Sequence, residues 1–192
     1  MGSGDNDVVA RDGGVFLRLL REDDIDDRYL SWFRDPLITR YLEAKNITRE
    51  DALGHLHHGQ KEKLRFLYAI CTKEDGRHIG NIKIGDINYK AMTSDLVTVV
   101  GDRAYWGRGF ATAAIKIGVN IAFEKLKLRK LHAGIYNDNV GSLKAYTRAG
   151  FVVEAKLHQH ALGPNGYCDT ILISYFNPAV YPALPKFPLA LV

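Results

Sequence analysis

Apolar and polar positions follow two different periods along the chain, which predicts a mixture of strands and helices. Alternating or continuous apolar runs predict strands at 15–20, 64–72, 78–88, 94–101, 129–137, 152–161 and 167–175. Apolar positions at helical spacing, with capping and stop residues, predict helices at 22–34, 48–61, 109–127 and 139–149. Helices that interrupt a mostly antiparallel sheet give an α/β fold in the mixed, α+β sense.

The pattern covers one domain between two less regular ends. A chain of 192 residues is large enough for one self-sufficient core, and no internal repeat is evident. We therefore expect a domain at 15–176, a disordered N-terminus at 1–14 and a proline-rich tail at 177–192. The tail holds four prolines, which exclude a regular helix. We expect it to pack along the domain surface or against a partner.

Composition and charge are those of an ordinary globular protein. The hydrophobic fraction is 46%, the charged fraction is 25%, and the formal net charge is +4. One basic cluster lies at the end of a predicted helix, where it complements the helix dipole: Lys125, Lys127, Arg129 and Lys130. Because no aromatic residues are interleaved with it, we interpret this cluster as a solvated face and expect no nucleic-acid partner.

Cysteine usage and hydropathy favour a cytoplasmic protein. Cys71 and Cys168 both lie in strand-like runs and are too few for a disulfide framework, and no spacing typical of metal ligands is present. The sequence shows neither a signal peptide nor a run of about 18 apolar residues. We therefore expect no metal site and no membrane association.

The most informative stretch is the glycine-rich turn at 105–112. It follows the β-branched run 96–100 and opens a helical pattern, so its backbone N–H groups stand at a helix N-terminus. Such groups bind anions, and Gly107 and Gly109 let a bound group approach the backbone. The turn lacks the Gly-Lys-Ser/Thr of a Walker loop and the Gly-x-Gly-x-x-Gly of a dinucleotide fold. Taken alone, it is compatible with a pyrophosphate cradle and with a plain structural turn.

A second motif follows the next predicted strand. Residues 137–151 have the sequence Asn-Asp-Asn-Val-Gly-Ser-Leu-Lys-Ala-Tyr-Thr-Arg-Ala-Gly-Phe. Asparagine at the start of this segment and glycine near its end predict a capped helix. The chain thus contains two strand–turn–helix units in succession.

These two units resemble the motifs of the GNAT superfamily of acetyl-CoA-dependent N-acetyltransferases. Residues 106–111 lie on the family's phosphate motif, Arg/Gln-x-x-Gly-x-Gly/Ala, except that Trp106 stands where the family often has Arg or Gln. The later motif, Asn-x-x-Ser/Ala-x-x-x-Tyr-x-x-x-Gly-Phe, is matched by Asn139, Ser142, Tyr146, Gly150 and Phe151. The resemblance covers roughly residues 15–176. Tyr-Trp-Gly-x-Gly is similar to the branch of ribosomal-protein N-terminal, spermidine and nucleotide-amino-sugar acetyltransferases.

The resemblance implies acetyl-CoA as the coenzyme. In the family, the turn binds the pyrophosphate through backbone N–H groups, while the preceding strand pairs with the pantetheine arm and carries a β-bulge aimed at the thioester. The coenzyme-binding residues implied here are Val99, Val100, Trp106, Gly107, Arg108, Gly109, Phe110, Ala111, Thr112, Asn139 and Ser142. For Arg103 and Arg108, side-chain contacts to phosphate and plain solvated positions both remain open.

For the chemistry, the resemblance favours Tyr146 as the general acid. A phenol of pKa about 10 is a fair proton donor to a departing thiolate, although an aromatic residue on an amphipathic helix also suits a core. Asn139 is a preferred helix N-cap as well as an implied pantetheine ligand. Asp95, at a position that is often Glu in this branch, is the candidate base for the amine. The alternatives are Asp86, His132, His160 or an ordered water.

We expect the acceptor to be the amine of a small molecule. Similarity of 32–42 and 78–88 to amino-sugar acetyltransferases favours an amino sugar, free or nucleotide-linked, with Trp32, Tyr41 and Glu43 as pocket residues. The sequence has no acidic run of the kind that would favour a polyamine site. The alternatives are the α-amine of a protein such as a ribosomal protein, and a non-catalytic acetyl-CoA-binding module. A monomer and a homodimer are both compatible with the sequence.

Overall fold

One eight-stranded sheet organises the residues that this computed structural model describes, 8–163 and 165–183. Its strands are β1 Val8–Asp12, β2 Val15–Leu19, β3 Phe66–Thr72, β4 His78–Ile84, β5 Thr93–Val100, β6 Lys130–Tyr136, β7 Val152–Gly163 and β8 Gly166–Phe176. Their order is β1-β2-β3-β4-β5-β6-β8-β7, and every neighbouring pair except β5 and β6 is antiparallel. The mixed α/β fold with a mostly antiparallel sheet is confirmed.

Four α-helices flank the sheet in the same part of the chain: α1 Asp27–Trp32, α2 Arg49–Glu62, α3 Phe110–Asn120 and α4 Val140–Ala149. Polar residues satisfy the first N–H groups of α1 and α2. Asp26 accepts from the N–H of Tyr29 at 2.8 Å, and Thr48 and Asp51 form a capping box. Two predicted helices are not continuous α-helices. The one predicted at 22–34 begins with a 3₁₀ turn, Glu22–Asp24, and the one predicted at 109–127 ends in a π-helical turn, Ile121–Lys125.

Each face of the sheet carries its own apolar core, because successive strand residues point to opposite faces. Under α3 and α4, the buried side chains include Ile82, Leu96, Ile115, Leu131 and Ile173. Under α1 and α2, they include Leu20, Ile25, Leu30, Leu56 and Cys71. Even-numbered side chains of β5 therefore face α3 and α4, and its odd-numbered side chains face the opposite side.

The folded region begins earlier than the sequence predicts. Residues 1–14 are predicted to be disordered, yet Val8–Asp12 pair with β2 through the turn at Gly13 and Gly14, whose φ angles are 45° and 87°. That prediction is wrong for residues 8–14, because pairing with β2 stabilises a strand of five residues, which is too short to show a period in the sequence. Residues 1–7 lie outside the described part.

The first residues of the proline-rich tail pack against the domain. Asn177 donates from its backbone N–H to Arg129 O and from Nδ2 to Leu128 O, both at 3.0 Å. The Tyr181 ring packs edge-on against Phe176 with centroids 5.3 Å apart, and Arg129 donates to the Tyr181 hydroxyl. Of the two placements expected for the tail, surface packing therefore describes residues 177–181, whereas residues 184–192 lie outside the described part.

Candidate active site

β5 and β6 separate from each other at the centre of the sheet. They pair only at their first residues, Thr93–Asp95 with Lys130–His132, although both strands continue. Beyond that segment, β5 stays bonded to β4 and β6 stays bonded to β8. The strands thus open a wedge with residues 96–100 on one arm and 133–136 on the other. We call the point where pairing ends the vertex of the wedge.

The β5 arm presents an unpaired backbone edge to the wedge. The N–H of Gly101 donates to a carbonyl of β4 at 2.9 Å, and the carbonyl of Asp95 accepts from the N–H of the residue after β4 at 3.3 Å. The N–H and C=O groups of odd-numbered β5 residues therefore point towards β4. Because backbone direction alternates along a strand, the N–H and C=O groups of Thr98 and Val100 point into the wedge, whereas Val99 lies within the β4 ladder. Such an edge can pair with an extended chain of amides.

Trp106 closes the far end of this edge. Its indole Nε1–H donates to Val100 O at 2.7 Å, while the side chain remains 45% exposed. The register between β4 and β5 is unbroken from Leu96 to Val100. The β-bulge that the family resemblance implies is therefore not present in these residues.

The turn at 105–112 leads into the start of α3 and leaves open space beside its two glycines. Gly107 and Gly109 have φ angles of 72° and 81°, and Gly109 is the helix N-cap with no side-chain capping bond. A Cβ built on either glycine would meet no atom within 4 Å, so open space lies beside the first N–H groups of the helix. Free N–H groups, the helix dipole and this space together fit a diphosphate.

Two arginines beside this cradle have different partners. The Arg108 guanidinium lies 5.2 Å from the ring centroids of both Tyr105 and Phe110, a cation–π position that holds its charge at the start of α3. Arg103 instead pairs with Asp35 at 3.1 Å. Arg108 is therefore the better placed of the two to add charge to an anion in the cradle.

α4 begins where the β6 arm ends. Asn139 N–H donates to Tyr136 O at 2.8 Å, and Asn139 Oδ1 accepts from Ser142 N–H at 3.2 Å. Asn139 is thus the N-cap of α4. Because the cap uses only the amide oxygen, the Nδ2 donor is left for a second partner.

Tyr146 reaches from α4 to the vertex of the wedge. Its hydroxyl donates to Leu96 O at 2.8 Å and lies 3.4 Å from Thr98 Oγ1. The residue is 4% exposed, and its ring packs edge-on against Phe151 with centroids 5.0 Å apart. Burial raises the pKa of this phenol well above its ordinary value. Tyr146 therefore keeps its proton at physiological pH and is a hydrogen-bond donor there.

Asp95 lies at the same vertex, on the face opposite to α3 and α4. Its Oδ2 is 2.9 Å from Lys83 Nζ, whereas its Oδ1 is buried without a hydrogen-bond partner. Burial raises the pKa of this carboxyl, and the Lys83 ammonium opposes that rise. A carboxyl whose pKa is raised is a better proton acceptor near neutral pH than an ordinary aspartate.

The other candidate bases have less suitable positions. Asp86 is exposed and pairs with Arg65 at 2.6 Å. His160 is exposed on the β7–β8 hairpin, and His132 is exposed on β6 in register with Asp95. Asp95 and His132 therefore flank the vertex, and of these two only Asp95 combines burial with an unpaired acceptor atom.

An aromatic pair lies at the open end of the β6 arm. The Tyr41 ring packs edge-on against Tyr136 with centroids 5.9 Å apart, and the Tyr41 hydroxyl donates to Asp138 O at 3.3 Å. Burial raises the pKa of Tyr136, and the charge of nearby Glu43 adds to that rise. Trp32, the last residue of α1, is 4% exposed and packs in the core beneath α1 and α2. Of the three predicted pocket residues, Tyr41 and Glu43 thus lie beside the wedge, and Trp32 belongs to a core.

Lys83 and Thr98 belong to the site but carry no motif in the sequence. Lys83 meets Asp95 because β4 and β5 pair in a register that puts Lys83 opposite Val97. Thr98 meets Tyr146 because α4 crosses back over β5 at the vertex. The only local signal is alternation, which puts Lys83 and Asp95 at polar positions of apolar strands.

Comparison with known families identifies the class of the protein. The sequence profile of the family described as "Acetyltransferase (GNAT) domain" matches residues 15–152, which contain both arms of the wedge, the cradle and Tyr146. The chain belongs to the GNAT acetyltransferase family. The prediction of an acetyl-CoA-dependent N-acetyltransferase is therefore confirmed at the level of the class, as is acetyl-CoA as the coenzyme.

Individual relatives of the chain are also named as N-acetyltransferases. The probable N-acetyltransferase YjcK of Bacillus subtilis (strain 168) is 29% identical over 111 residues, 58% of this chain. That match spans 61% of the YjcK protein, which is less than two thirds of its length. The spermidine N(1)-acetyltransferase of Escherichia coli (strain K12) is 27% identical over 147 residues, 76% of this chain and 72% of that protein.

Solved structures share the fold. Spermidine N-acetyltransferase from Vibrio cholerae, in complex with CoA and spermine, has a TM-score of 0.78 at 17% identity and covers 86% of this chain and 96% of that chain. Ribosomal-protein-S5-alanine acetyltransferase from Vibrio fischeri has a TM-score of 0.76 at 20% identity and covers 88% and 96%. At these identities the likeness establishes the common architecture.

The described residues offer neither a metal cluster nor a membrane span. Within them, no three His, Cys, Asp or Glu side chains are grouped as metal ligands. No helix in that part of the chain combines the length and the apolar character of a membrane span.

Proposed function

We propose that the protein transfers the acetyl group of acetyl-CoA directly to the primary amine of a small molecule, an amino sugar, with Tyr146 as the general acid. The observation that carries this proposal is the position of the Tyr146 hydroxyl, 2.8 Å from Leu96 O at the vertex of the wedge. This position lies where the open backbone edge of β5 begins. A group that runs along that edge from the cradle reaches the phenol at its inner end.

The residues that would hold the coenzyme lie in the order that its parts require. The first N–H groups of α3, with Arg108 beside them, provide the anion site for the diphosphate. The backbone N–H and C=O of Thr98 and the N–H of Val100 would pair with the pantetheine amides, since Val100 O already accepts from Trp106. Asn139 offers its Nδ2 donor from the β6 side. When bound, the coenzyme supplies an activated acetyl thioester, and these residues orient it.

Two protons must move during the transfer. The acceptor ammonium has to lose a proton before its nitrogen can attack, and the departing sulfur has to gain one; a further N–H proton, lost as the nitrogen becomes an amide, then replaces that proton on the donor. Tyr146 Oη supplies the second proton, since burial keeps the phenol protonated. Asp95 Oδ1, or a water beside it, takes up the first, since burial brings the pKa of this carboxyl closer to neutral pH.

The charges beside the vertex favour a molecule with one amine over a polyamine. The carboxylates of Asp95 and Asp86 are each paired with a cation of this chain, Lys83 or Arg65. A polyamine carries several cationic groups, each of which needs an uncompensated acceptor. The relatives named for spermidine make this class the natural comparison, and the paired carboxylates argue against it here.

The Tyr41–Tyr136 pair supports a sugar as the carrier of the amine. Tyrosine rings present a broad apolar surface with a polar hydroxyl at one end. A sugar ring has the matching character, with C–H groups on its faces and hydroxyls around its rim. The aromatic pair lies at the mouth of the wedge, where the body of an acceptor would rest.

An acceptor panel tests the substrate class. Release of free CoA thiol is measured with hexosamines, nucleotide-linked amino sugars, spermidine, spermine and peptides with N-terminal alanine. We expect an amino sugar to give a kcat/KM about tenfold or more above the other classes. Preference for a polyamine or a peptide would replace the amino sugar. Coenzyme binding without turnover of any amine would instead favour the non-catalytic acetyl-CoA-binding module.

Tyr146→Phe tests the general acid. We expect kcat to fall by about 100-fold or more, while the Kd of CoA measured by calorimetry stays within about threefold, because the ring is kept and only the hydroxyl is lost. Tyr175→Phe is the matched control: Tyr175 packs on Phe151 from β8, so it removes a phenol hydroxyl from the same aromatic cluster. Full turnover in Tyr146→Phe would remove the acid role.

A further inference from the structure

The two carboxylate oxygens of Asp95 have different surroundings. Oδ2 is held by Lys83 Nζ at 2.9 Å, and the two side chains are only 24% and 27% exposed. Oδ1 is buried and accepts no hydrogen bond. A buried carboxylate oxygen without a donor costs free energy, so its persistence calls for an explanation.

The position of this carboxylate points to the acceptor. Asp95 is the last β5 residue to pair with β6, and it faces the side of the sheet away from α3 and α4. The Tyr146 hydroxyl meets the β5 backbone one residue later, at Leu96. An ammonium that donates to Asp95 Oδ1 would therefore stand next to the vertex, where the thioester is expected.

We propose that Lys83 is a positioning residue for the acceptor amine: it holds Oδ2 of Asp95 and so presents Oδ1 to the incoming ammonium group. This inference rests on the proposed function, because it places the acceptor within the same site. A plain surface ion pair would leave the desolvation of Oδ1 uncompensated. An arriving ammonium supplies the missing donor.

The proton transfers are then assigned to atoms. One N–H proton passes from the acceptor ammonium to Asp95 Oδ1. The new C–N bond forms as the C–S bond breaks, the sulfur takes the proton of Tyr146, and the second N–H proton, which the nitrogen loses on becoming an amide, returns to the Tyr146 phenolate. Lys83 exchanges no proton in this sequence; its charge keeps Asp95 ionised and ready to accept.

Charged and titratable groups reach Asp95 from each element around it. Lys83 comes from β4, His132 from β6, Asp86 from the loop after β4 and Tyr146 from α4. Burial raises the pKa of the Asp95 carboxyl. The charges of Lys83 and His132 lower that pKa, and the charge of Asp86 raises it. Because Lys83 is the largest of the opposing influences, its loss leaves the carboxyl protonated to a higher pH.

Lys83→Met removes this cation while it keeps most of the side-chain volume. In Lys83→Met, we expect the KM of the acceptor to rise about tenfold and the acidic limb of the kcat/KM profile to move up by about one pH unit. Lys83→Arg, which keeps the charge, is expected to restore both. Lys73→Met is the matched control, since it removes an exposed lysine from the β3–β4 turn. An unchanged KM and an unchanged limb in Lys83→Met would overturn the proposal.

A measurement without turnover separates this inference from the proposed function. The ¹³Cγ signal of Asp95 is followed by NMR against pH and against added glucosamine, in wild type, Lys83→Met and Lys83→Arg. We expect glucosamine to shift the signal saturably in wild type and Lys83→Arg. In Lys83→Met, the glucosamine concentration that gives half of the shift should be at least about tenfold higher. If glucosamine is turned over in the acceptor panel but leaves the wild-type signal unchanged, or shifts it equally in Lys83→Met, the positioning role is wrong; a panel without amino-sugar turnover would instead overturn the proposed function.

Discussion

At the scale of residues, Tyr146 and Asp95 have raised pKa values with opposite consequences. Burial keeps the Tyr146 phenol protonated, so it remains a proton donor. Burial also raises the pKa of Asp95 above 3.8, so the folded protein binds a proton there more tightly than the unfolded chain does. The Tyr146 hydroxyl thus meets β5 at Leu96 O, one residue after Asp95.

Asp95→Asn is expected to lower the activity and to raise the stability of the protein. Because the folded-state pKa of Asp95 lies above its unfolded value, this group favours folding fully below the unfolded pKa, and the contribution is lost as pH rises through the folded pKa. Asparagine avoids that loss. Calorimetry should therefore show a Tm advantage for the variant that is near zero at about pH 3 and reaches on the order of 2 °C at about pH 8. An advantage that shrinks as pH rises would contradict the raised pKa.

Gly109→Asp is expected to abolish coenzyme binding. Saturating acetyl-CoA at about 100 times its Kd should stabilise the wild type by about 2.7 kcal/mol, which is a Tm rise of about 5–10 °C for a chain of this size. An aspartate at Gly109 would fill the cradle with a carboxylate, so the rise should vanish.

Gly76→Asp is the matched control for that experiment. Gly76 has a φ of 71° and, like Gly109, open space around a built Cβ, but it lies in the β3–β4 turn. The backbone strain of the two variants is therefore similar. Gly76→Asp should keep the coenzyme-induced rise. Loss of the rise in both variants would mean that strain, and not the cradle, explains the result.

At the scale of elements, the functional feature is the separation of β5 from β6. A central strand normally bonds on both sides, whereas residues 96–100 bond to β4 alone. The odd-numbered N–H groups of this stretch lie in the β4 ladder, and those of Thr98 and Val100 face the wedge. One strand thus pairs with the sheet on one edge and leaves its other edge open, where we propose that the coenzyme pairs.

Amide hydrogen exchange tests this division residue by residue. In the free protein, we expect Val97 and Val99 to exchange slowly, since both lie within the β4 ladder, and Thr98 and Val100 to exchange quickly. CoA should slow exchange at Thr98 and Val100 by about tenfold or more and leave Val97 and Val99 nearly unchanged. Protection that appears equally at all four amides would indicate general stabilisation, and protection at none would mean that the coenzyme does not pair with β5.

Much of this element level could be predicted from local sequence. The helix at 139–149 has an asparagine cap and a terminal glycine, and α4 is Val140–Ala149 with Asn139 as its cap. The hairpin at 152–175 has its turn at Gly163–Gly166 as predicted. The wedge could not be predicted in this way, because the end of β5–β6 pairing depends on what each strand bonds to on its other side. The Lys83–Asp95 ion pair is hidden for the same reason, since it needs the register between β4 and β5.

At the scale of the whole molecule, two cores hold the site between them. α3 and α4 cover one face of the sheet and supply the cradle and Tyr146, whereas α1 and α2 cover the other face, to which Asp95 points. The coenzyme motifs lie in consecutive strand–helix units, so their residues could be named from the sequence. The proposed acceptor side brings together segments distant in the sequence, such as Tyr41 and Tyr136, and therefore carries no comparable motif.

The most direct test of the account is a crystal structure of the protein with CoA bound. We expect the diphosphate at the first N–H groups of α3, the pantetheine amides on Thr98 and Val100, and Tyr146 Oη within about 3.5 Å of the sulfur. A sulfur bound elsewhere, with the Tyr146 hydroxyl still on Leu96 O and out of its reach, would contradict the claim that the wedge presents the thioester to this phenol.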